Sequence, residues 1–347
     1  METLGYAAMD EKGHMEPYRF NRRALRKDDI AIDIKYCGVC HSDLHQARSD
    51  WSGSVYPVVP GHEIVGIVSA VGDDVSDFSI GDKVAVGCMV DSCLSCSPCK
   101  TGEEQFCAEG ATLTYNSPDR ETGENTLGGY SNKIVVRKNF VLRVPEGLDL
   151  ARTGPILCAG ITTYSPLKKW NISKGSKVGV VGLGGLGHMA VKLAVGMGAE
   201  VTVISRSRKK EEDALKLGAK RVVVSTDQES MSEAQGSLEF ILDTVPVAHP
   251  IDNYLSLLSI DGSFVIVGAI DDIPAFHSIN LLLGRKRVSG SIIGGIAETQ
   301  ELLDLCAEKS IYPECEMIKI QDINQAFERM EKGDVKYRFV IDMSSLE

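Results

Sequence analysis

K-V-G-V-V-G-L-G-G-L-G, residues 177–187, decides the fold. A short β-branched run breaks at glycine, and H-M-A-V-K-L-A-V-G-M-G-A follows with apolar residues at helical spacing. Strand, glycine turn and helix in that order make a cradle for a pyrophosphate. Gly182 allows the tight turn, Gly184 lets the backbone approach the ligand, and Gly187 permits close helix–strand packing. Gly185 and Leu186 lie in the same turn, where the helix N-terminus offers unpaired N–H groups and a partial positive charge.

Working outward, V-T-V-I-S, R-V-V-V-S, L-E-F-I-L-D-T-V, S-F-V-I-V-G-A and R-V-S-G-S-I-I alternate with helical or turn segments such as K-K-E-E-D-A-L-K-L-G-A. With the first run they give six strands, which predicts an α/β domain with a doubly wound, six-stranded parallel Rossmann sheet. Before it, from Ala31 to about Val144, short runs such as I-A-I-D-I-K-Y-C-G and H-E-I-V-G-I-V-S-A-V-G are broken by glycine, proline and acidic turns. That rhythm predicts a mostly-β lobe. After Gly295 a helix (E-T-Q-E-L-L-D-L-C-A-E-K) and a strand (Y-R-F-V-I-D-M) return to it. The expected division is a β domain over 1–154 and 294–347 and a nucleotide domain over 155–293.

Where an NAD site carries an acid to bond the ribose 2′-hydroxyl, this chain reads S-R-S-R-K-K, residues 205–210. A carboxylate there would repel a 2′-phosphate, whereas a guanidinium and an ammonium pair with it. Basic residues are also unfavourable beside a helix N-terminus, which argues for an anion nearby. The expectation is NADP, with Ser205, Arg206 and Lys210 on the phosphate.

Two groups of metal-ligand residues stand in the β lobe. Cys93, Cys96, Cys99 and Cys107 fall within fifteen residues, a spacing that suits a closed tetrahedral zinc site in a loop of about 88–110. A redox pair would use one C-x-x-C and leave two cysteines unexplained. The second group is scattered: Cys37, Cys40, His41 and His45 in C-G-V-C-H-S-D-L-H (37–45), His62 with Glu63, and Cys158. A catalytic zinc takes three protein ligands and keeps one exchangeable position, but spacing does not say which three.

The bulk composition narrows the classes. The formal net charge of −11 over 347 residues gains nothing from the counterion release that drives nucleic-acid binding. No stretch approaches the ~18 apolar residues of a membrane span, and the first residues lack the basic-then-apolar pattern of an export signal. Ten cysteines in such a chain are expected as thiols or metal ligands in a cytoplasmic protein.

G-V-C-H-S-D (38–43), G-H-E (61–63), the four-cysteine loop, L-C-A-G-I-T-T-Y-S-P-L (157–167) and G-L-G-G-L-G (182–187) stand in that order along essentially the whole chain. Together they resemble the zinc-dependent medium-chain alcohol dehydrogenases. S-R-S-R-K-K and G-S-I-I-G-G (290–295) look most like the cinnamyl-alcohol-dehydrogenase branch. The resemblance implies a GroES-like catalytic domain and an NADP(H)-linked alcohol dehydrogenase or aldehyde reductase with two zinc ions per chain. It implies a catalytic zinc on Cys40, His62 and Cys158, with Glu63 as an alternative ligand and Cys37 in the core. Asp43 would orient the ligand histidine, Ser42 and His45 would relay the proton, and His41 and Thr162 would meet the cofactor. Trp51 and Ile293 match pocket positions, and Leu113 stands where the plant enzymes have a second tryptophan, which favours a broad aldehyde range. A homodimer through R-V-S-G-S-I-I is expected. The alternatives are a differently specific or non-catalytic NADPH-binding zinc protein of the same fold, or an NAD-linked polyol dehydrogenase.

Overall fold

The computed structural model describes residues 1–268 and 272–346; Ala269, the last residue of the expected strand S-F-V-I-V-G-A, and Glu347 lie outside the described residues. The chain divides into two compact units, Met1–Cys158 with Gly294–Glu347, and Ala159–Ile293. The first break falls after Cys158, where the sequence expects it after 154. The reason is packing: a Cβ on Gly154 would lie 2.8 Å from the Glu63 carbonyl oxygen and 3.2 Å from the Gly38 nitrogen, so the 154–157 turn is pressed onto the first unit's strands.

The first unit is built on a seven-stranded sheet. Its order is Cys315–Lys319, Arg338–Asp342, Asp29–Val39, Ile64–Val71, Lys83–Val86 and Leu142–Arg143, with Lys133–Arg137 also paired to Asp29–Val39. Alternation places Ile30, Ile32, Ile64, Ile134 and Phe339 inward, where they are almost wholly enclosed with Tyr130 and Phe140. Glu2–Ala8 and Met15–Asn21 form an antiparallel hairpin that the sequence reading missed. Pro17 interrupts the second strand and Gly13, at φ +67°, makes the turn, so the run does not read as a strand pair. Cys315–Lys319 was missed as well, because it is a half-exposed edge strand with no apolar run.

The second unit is a six-stranded parallel sheet in the order Arg221–Val224, Glu200–Ser205, Lys177–Val181, Leu238–Asp243, Leu258–Ile266, Arg287–Gly290. In chain order this is 3-2-1-4-5-6, the Rossmann arrangement, whose ligands bind outside the carboxyl ends of the strands. Val178, Val180, Val201, Val203, Ile241 and Phe264 are buried on its faces, as near-continuous β-branched runs require. The helix after the glycine turn covers Gly185–Gly196.

Candidate active site and metal centres

In the first unit, three chain segments meet at one buried point. Cys40 follows the strand Asp29–Val39 and caps the helix His41–Ala47. Asp43, in that helix's first turn, accepts the Cys40 N–H at 2.8 Å and so fixes the direction in which the thiol leaves the strand. His62 and Glu63 precede the strand Ile64–Val71, after Gly61 at φ +101°. A Cβ on Gly61 would meet the Tyr130 ring at 2.7 Å and Cys37 Sγ at 2.9 Å, so only glycine makes this turn. Cys158 ends the 154–157 turn described above. The result is that Cys40, His62, Glu63 and Cys158, all buried, present ligand atoms within 4.8 Å of one another.

The polar geometry around them is directional. His62 Nδ1 lies 2.9 Å from the Tyr115 hydroxyl and 3.5 Å from Asp43 Oδ1, while Nε2 is buried with no hydrogen-bond partner. The Tyr115 hydroxyl also bonds Asp43, so its oxygen receives the Nδ1 proton and Nε2 keeps its lone pair for the cluster. Cys40 and Cys158 sulfurs are 3.8 Å apart. Hydrogen bonding from Cys158 pulls the Cys40 thiol well below its ordinary value, and the same contact pushes Cys158 well above it. Glu63 is enclosed beside the buried Arg338 guanidinium, with which it forms an ion pair, while its Oε2 has no partner. Burial pushes the Glu63 carboxyl up, to about 7, against the pull of Arg338. An unsatisfied imidazole nitrogen, an unsatisfied carboxylate oxygen and two facing sulfurs are costly in a dry site. A divalent cation removes that cost, and with Arg338 it offsets the two thiolates and the carboxylate. The donor set fits zinc.

The remaining expected residues fall as follows. Cys37 is fully enclosed in the core and contributes no ligand atom to the cluster. Ser42 Oγ lies 3.6 Å from Cys40 Sγ. One turn on, His45 Nδ1 lies 2.8 Å from Asp50 Oδ2, and its ring tilts against Trp51 at 5.1 Å. His41 is exposed at the helix start. Asp43 is a hub: it accepts from Cys40 N, Gly61 N at 3.0 Å and the Tyr130 hydroxyl at 3.0 Å, and Tyr115 stands nearer His62 than it does. Trp51 and Leu113 are surface residues, and Asn116 joins their loops through Val55 N at 2.9 Å and Gly53 O at 3.2 Å. Ile293 ends the second unit at φ +50°. Tyr115, Arg338 and Cys88, whose thiol adjoins Cys158, escaped the sequence reading. For Cys88 a signal existed, a cysteine five residues before Cys93. For the other two there was none.

Cys93, Cys96, Cys99 and Cys107 form a second cluster with the same mutual reach, 4.8 Å. Backbone N–H groups point at the sulfurs: Cys96 N to Cys93 at 3.3 Å, Ala108 N to Cys96 at 3.4 Å and Cys93 N to Cys107 at 3.5 Å. Such bonds favour thiolates, and those from Ser95 and Cys96 pull Cys93 down to about 6. Four cysteines leave no open position, so the donor set suits a structural zinc.

In the second unit, a Cβ on Gly187 would lie 2.2 Å from the Gly182 carbonyl oxygen, which makes glycine obligatory there. A Cβ on Gly184 would meet nothing within 4 Å. It faces open space at the carboxyl end of a strand, where ligands of this sheet arrangement bind. Lys210 Nζ donates to the Leu183 carbonyl at 2.8 Å, which brings its ammonium to the turn. Arg208 pairs with Glu211 at 3.0 Å, whereas no carboxylate pairs with Arg206 among the described residues. Ser205 ends its strand, and Thr162 is buried in the helix Ala159–Lys169.

Comparison with known proteins agrees with this chemistry. The family described as "Alcohol dehydrogenase GroES-like domain" matches residues 26–146, and "Zinc-binding dehydrogenase" matches residues 185–308. The chain is 50% identical over 352 residues to "Aldehyde reductase YahK" of Escherichia coli K12, covering 100% of this chain and 99% of that one. Among solved structures it resembles a cinnamyl alcohol dehydrogenase of Sorghum bicolor, with TM-score 0.97, 44% identity and coverage of 100% and 99%. A cinnamyl alcohol dehydrogenase of Helicobacter pylori complexed with NADP(H) gives TM-score 0.93 at 44% identity, with coverage of 100% and 99%. The two cysteine-bearing clusters and the glycine turn thus sit in a chain that belongs to the zinc-binding alcohol dehydrogenase family, on its cinnamyl alcohol dehydrogenase side.

Proposed function

We propose that this chain is an NADP(H)-linked, zinc-dependent alcohol dehydrogenase or aldehyde reductase. It interconverts a primary alcohol and its aldehyde over a broad range, aliphatic, aromatic or cinnamyl. The observation that carries this is the buried set of Cys40, Cys158 and an imidazole nitrogen on His62 with no protein partner. These three residues hold the catalytic zinc, Glu63 is the alternative ligand, and Cys93, Cys96, Cys99 and Cys107 hold the structural one. Gly182, Gly184, Gly185, Leu186 and Gly187 bind the pyrophosphate with His41 and Thr162 beside the cofactor, and Ser205, Arg206 and Lys210 take the 2′-phosphate. The names of the relatives support this reading: one is an aldehyde reductase and one is complexed with NADP(H).

When bound, the metal supplies a Lewis acid at the substrate oxygen and the nicotinamide accepts or returns the hydride. The protein's residues handle the proton. Ser42 Oγ, 3.6 Å from Cys40 Sγ, accepts the substrate hydroxyl proton in the oxidative direction as it passes its own proton on toward His45. Donation from His45 Nδ1 to Asp50 leaves Nε2 unprotonated, so His45 receives that proton and releases it to solvent. Tyr115 holds His62 in the tautomer that offers Nε2. Arg338 holds one Glu63 oxygen and leaves the other without a hydrogen-bond partner. By the resemblance, Trp51, Leu113 and Ile293 each match a position that faces substrate in the family. An exposed leucine where plant enzymes have tryptophan leaves room for varied aldehydes.

The chain pairs with a second copy through Arg287–Gly290, the sheet's terminal strand, beside which Leu282, Leu283 and Ile292 are 70, 80 and 56% exposed. Ten free cysteines support the reducing cytoplasm as its compartment. The test is initial-rate oxidation of NADPH and, in parallel, NADH over a panel of aldehydes. Chelator-sensitive, NADPH-linked reduction supports the proposal. Absence of reduction by either cofactor in zinc-replete protein overturns it.

A further inference from the structure

The second unit holds a buried acid–imidazole pair that the reading above leaves unused. Asp243 closes the strand Leu238–Asp243, at the carboxyl edge of the sheet, and its side chain is fully enclosed. Val245 N–H donates to Oδ1 at 3.2 Å, and Oδ2 faces His249 Nε2 at 3.2 Å. On the other side of the ring, Nδ1 lies 2.8 Å from the Val247 carbonyl oxygen. A carbonyl only accepts, so Nδ1 carries a proton. A neutral ring then has no proton on Nε2, and two lone pairs face each other in a buried site. At 3.2 Å the two atoms face each other without forming a hydrogen bond, and neither Nε2 nor Oδ2 has any hydrogen-bond partner among the described residues. The contact closes only with one further proton between them, as imidazolium and carboxylate or as imidazole and carboxylic acid. Burial pushes the Asp243 carboxyl up, to about 6, against the pull of His249, the direction that retention of a proton requires.

The pair fastens a loop that abuts the glycine turn. Thr244 Oγ1 donates to the Val181 carbonyl at 2.7 Å. A Cβ on Gly182 would lie 3.0 Å from that hydroxyl and 3.2 Å from Val245 Cγ2, and one on Gly187 would lie 3.2 Å from the hydroxyl. Thr244 and Val245 therefore abut the glycine turn, and His249 anchors the far end of the loop they begin. Tyr254 faces the pair from the helix Asp252–Leu257, edge-on to His249 at 5.6 Å. Ser225 bonds the Tyr254 hydroxyl, and Arg206 acts on it electrostatically. On the flanking strands Asp243 is paired to Val181 and Ile266, neither of them titratable.

We propose that Asp243 and His249 share one proton, and that this proton holds the 244–250 loop where the dinucleotide needs it, making His249 a positioning residue for the cofactor. The inference rests on the dinucleotide reading of this unit. The sign follows from the raised carboxyl: the fastening is complete at low pH and is lost as pH rises through the pair's titration.

The test is NADPH affinity of the zinc-replete protein, followed by fluorescence from about pH 5.5 to about 9, a range that spans imidazole titration. In D243N the amide N–H donates to a neutral His249, so the loop stays fastened wherever the ring is neutral and a rise in pH no longer releases it. The wild type should weaken about tenfold relative to D243N as pH rises, the scale of one lost charge-assisted hydrogen bond. H249L should bind weakly throughout. The cofactor's own phosphate titrates near ~6 and is common to all three proteins, so it cancels in the comparison. Resonances of nucleotide-free protein labelled at histidine nitrogens and aspartate carboxyls report the proton directly. A D243N pH profile matching the wild type, wild-type affinity in H249L, or a neutral His249 beside an ionised Asp243 at about pH 6 would each overturn the proposal. If the resonances show the shared proton but no dinucleotide binds, the cofactor reading fails and the positioning role falls with it, while the shared proton stands.

Discussion

Replacing Tyr115 with phenylalanine tests the catalytic cluster through a residue that contributes no ligand atom to it. The hydroxyl receives the Nδ1 proton of His62 at 2.9 Å and bonds Asp43 behind it. Its loss leaves Nδ1 to reach Asp43 Oδ1, 3.5 Å away, across a small rotation of the imidazole. Partners of a metal-bound histidine typically contribute 10–100-fold to metal affinity, which is about 1.4–2.8 kcal/mol. Because Asp43 can take over part of the bond, the expected loss is at the lower end, about tenfold. Competition for zinc by a chromophoric chelator reads this as a two-step titration. The step belonging to Cys93, Cys96, Cys99 and Cys107 should stay in place while the other moves to lower chelator concentration. An unmoved second step would refute the orienting role of Tyr115. Equal movement of both steps would mean that the substitution loosens the whole domain and that the hydrogen-bond argument is wrong.

Three further outcomes are expected. Cys40→Ser and His62→Ala should each leave one zinc per chain by metal analysis and abolish turnover, with NADPH binding retained by fluorescence titration. R206A should weaken NADPH by about 10–100-fold, as the loss of a charge-assisted phosphate contact predicts, and change NADH affinity less than about twofold; equal losses for both cofactors would remove Arg206 from the phosphate. Partial burial pushes the Asp119 carboxyl up, but the Arg26 guanidinium at 2.7 Å and the N–H groups of Thr122 and Glu121 outweigh it and hold it below the usual carboxylate range. That stability is present above the unfolded value of about 4 and is lost as pH falls toward the depressed folded value, so D119N should lower Tm at pH 7 and the gap should narrow steadily below about pH 4. A gap that does not narrow on acidification would contradict this.

What could be read from the sequence was whatever is local in the chain. The glycine turn and the strand before it lie within eleven residues and the four-cysteine loop within fifteen, so spacing alone carries their geometry. Pairings across the chain left no such trace. Tyr115 meets His62 across 53 positions, and Arg338 meets Glu63 across 275. A tyrosine in A-T-L-T-Y-N and an arginine at the head of R-F-V-I-D read as ordinary strand residues until the sheet brings them to the cluster. The N-terminal hairpin was hidden for a different reason: Pro17 breaks the β pattern of a strand whose partner supplies the regularity.

The stretch C-G-V-C-H-S-D-L-H shows why residue type alone under-determines such a site. Cys37 and Cys40 are three positions apart, and the strand's alternation sends the first into the core against Tyr130 and Gly61. The second stands where the strand gives way to a helix, and there the backbone turns the thiol toward Cys158. Asp43 makes that turn rigid. Its carboxylate gathers the N–H of Cys40, the N–H of Gly61 and the hydroxyl of Tyr130, so one side chain fixes the strand end carrying one ligand and the turn carrying the next. Its loss would strand three buried donors at about 1–3 kcal/mol each, more than the loss of the single hydrogen bond from His62 to Tyr115. The role that resemblance implies for Asp43, orienting His62, is therefore the smaller part of what the carboxylate does. It builds the frame, and Tyr115 aims the imidazole within it.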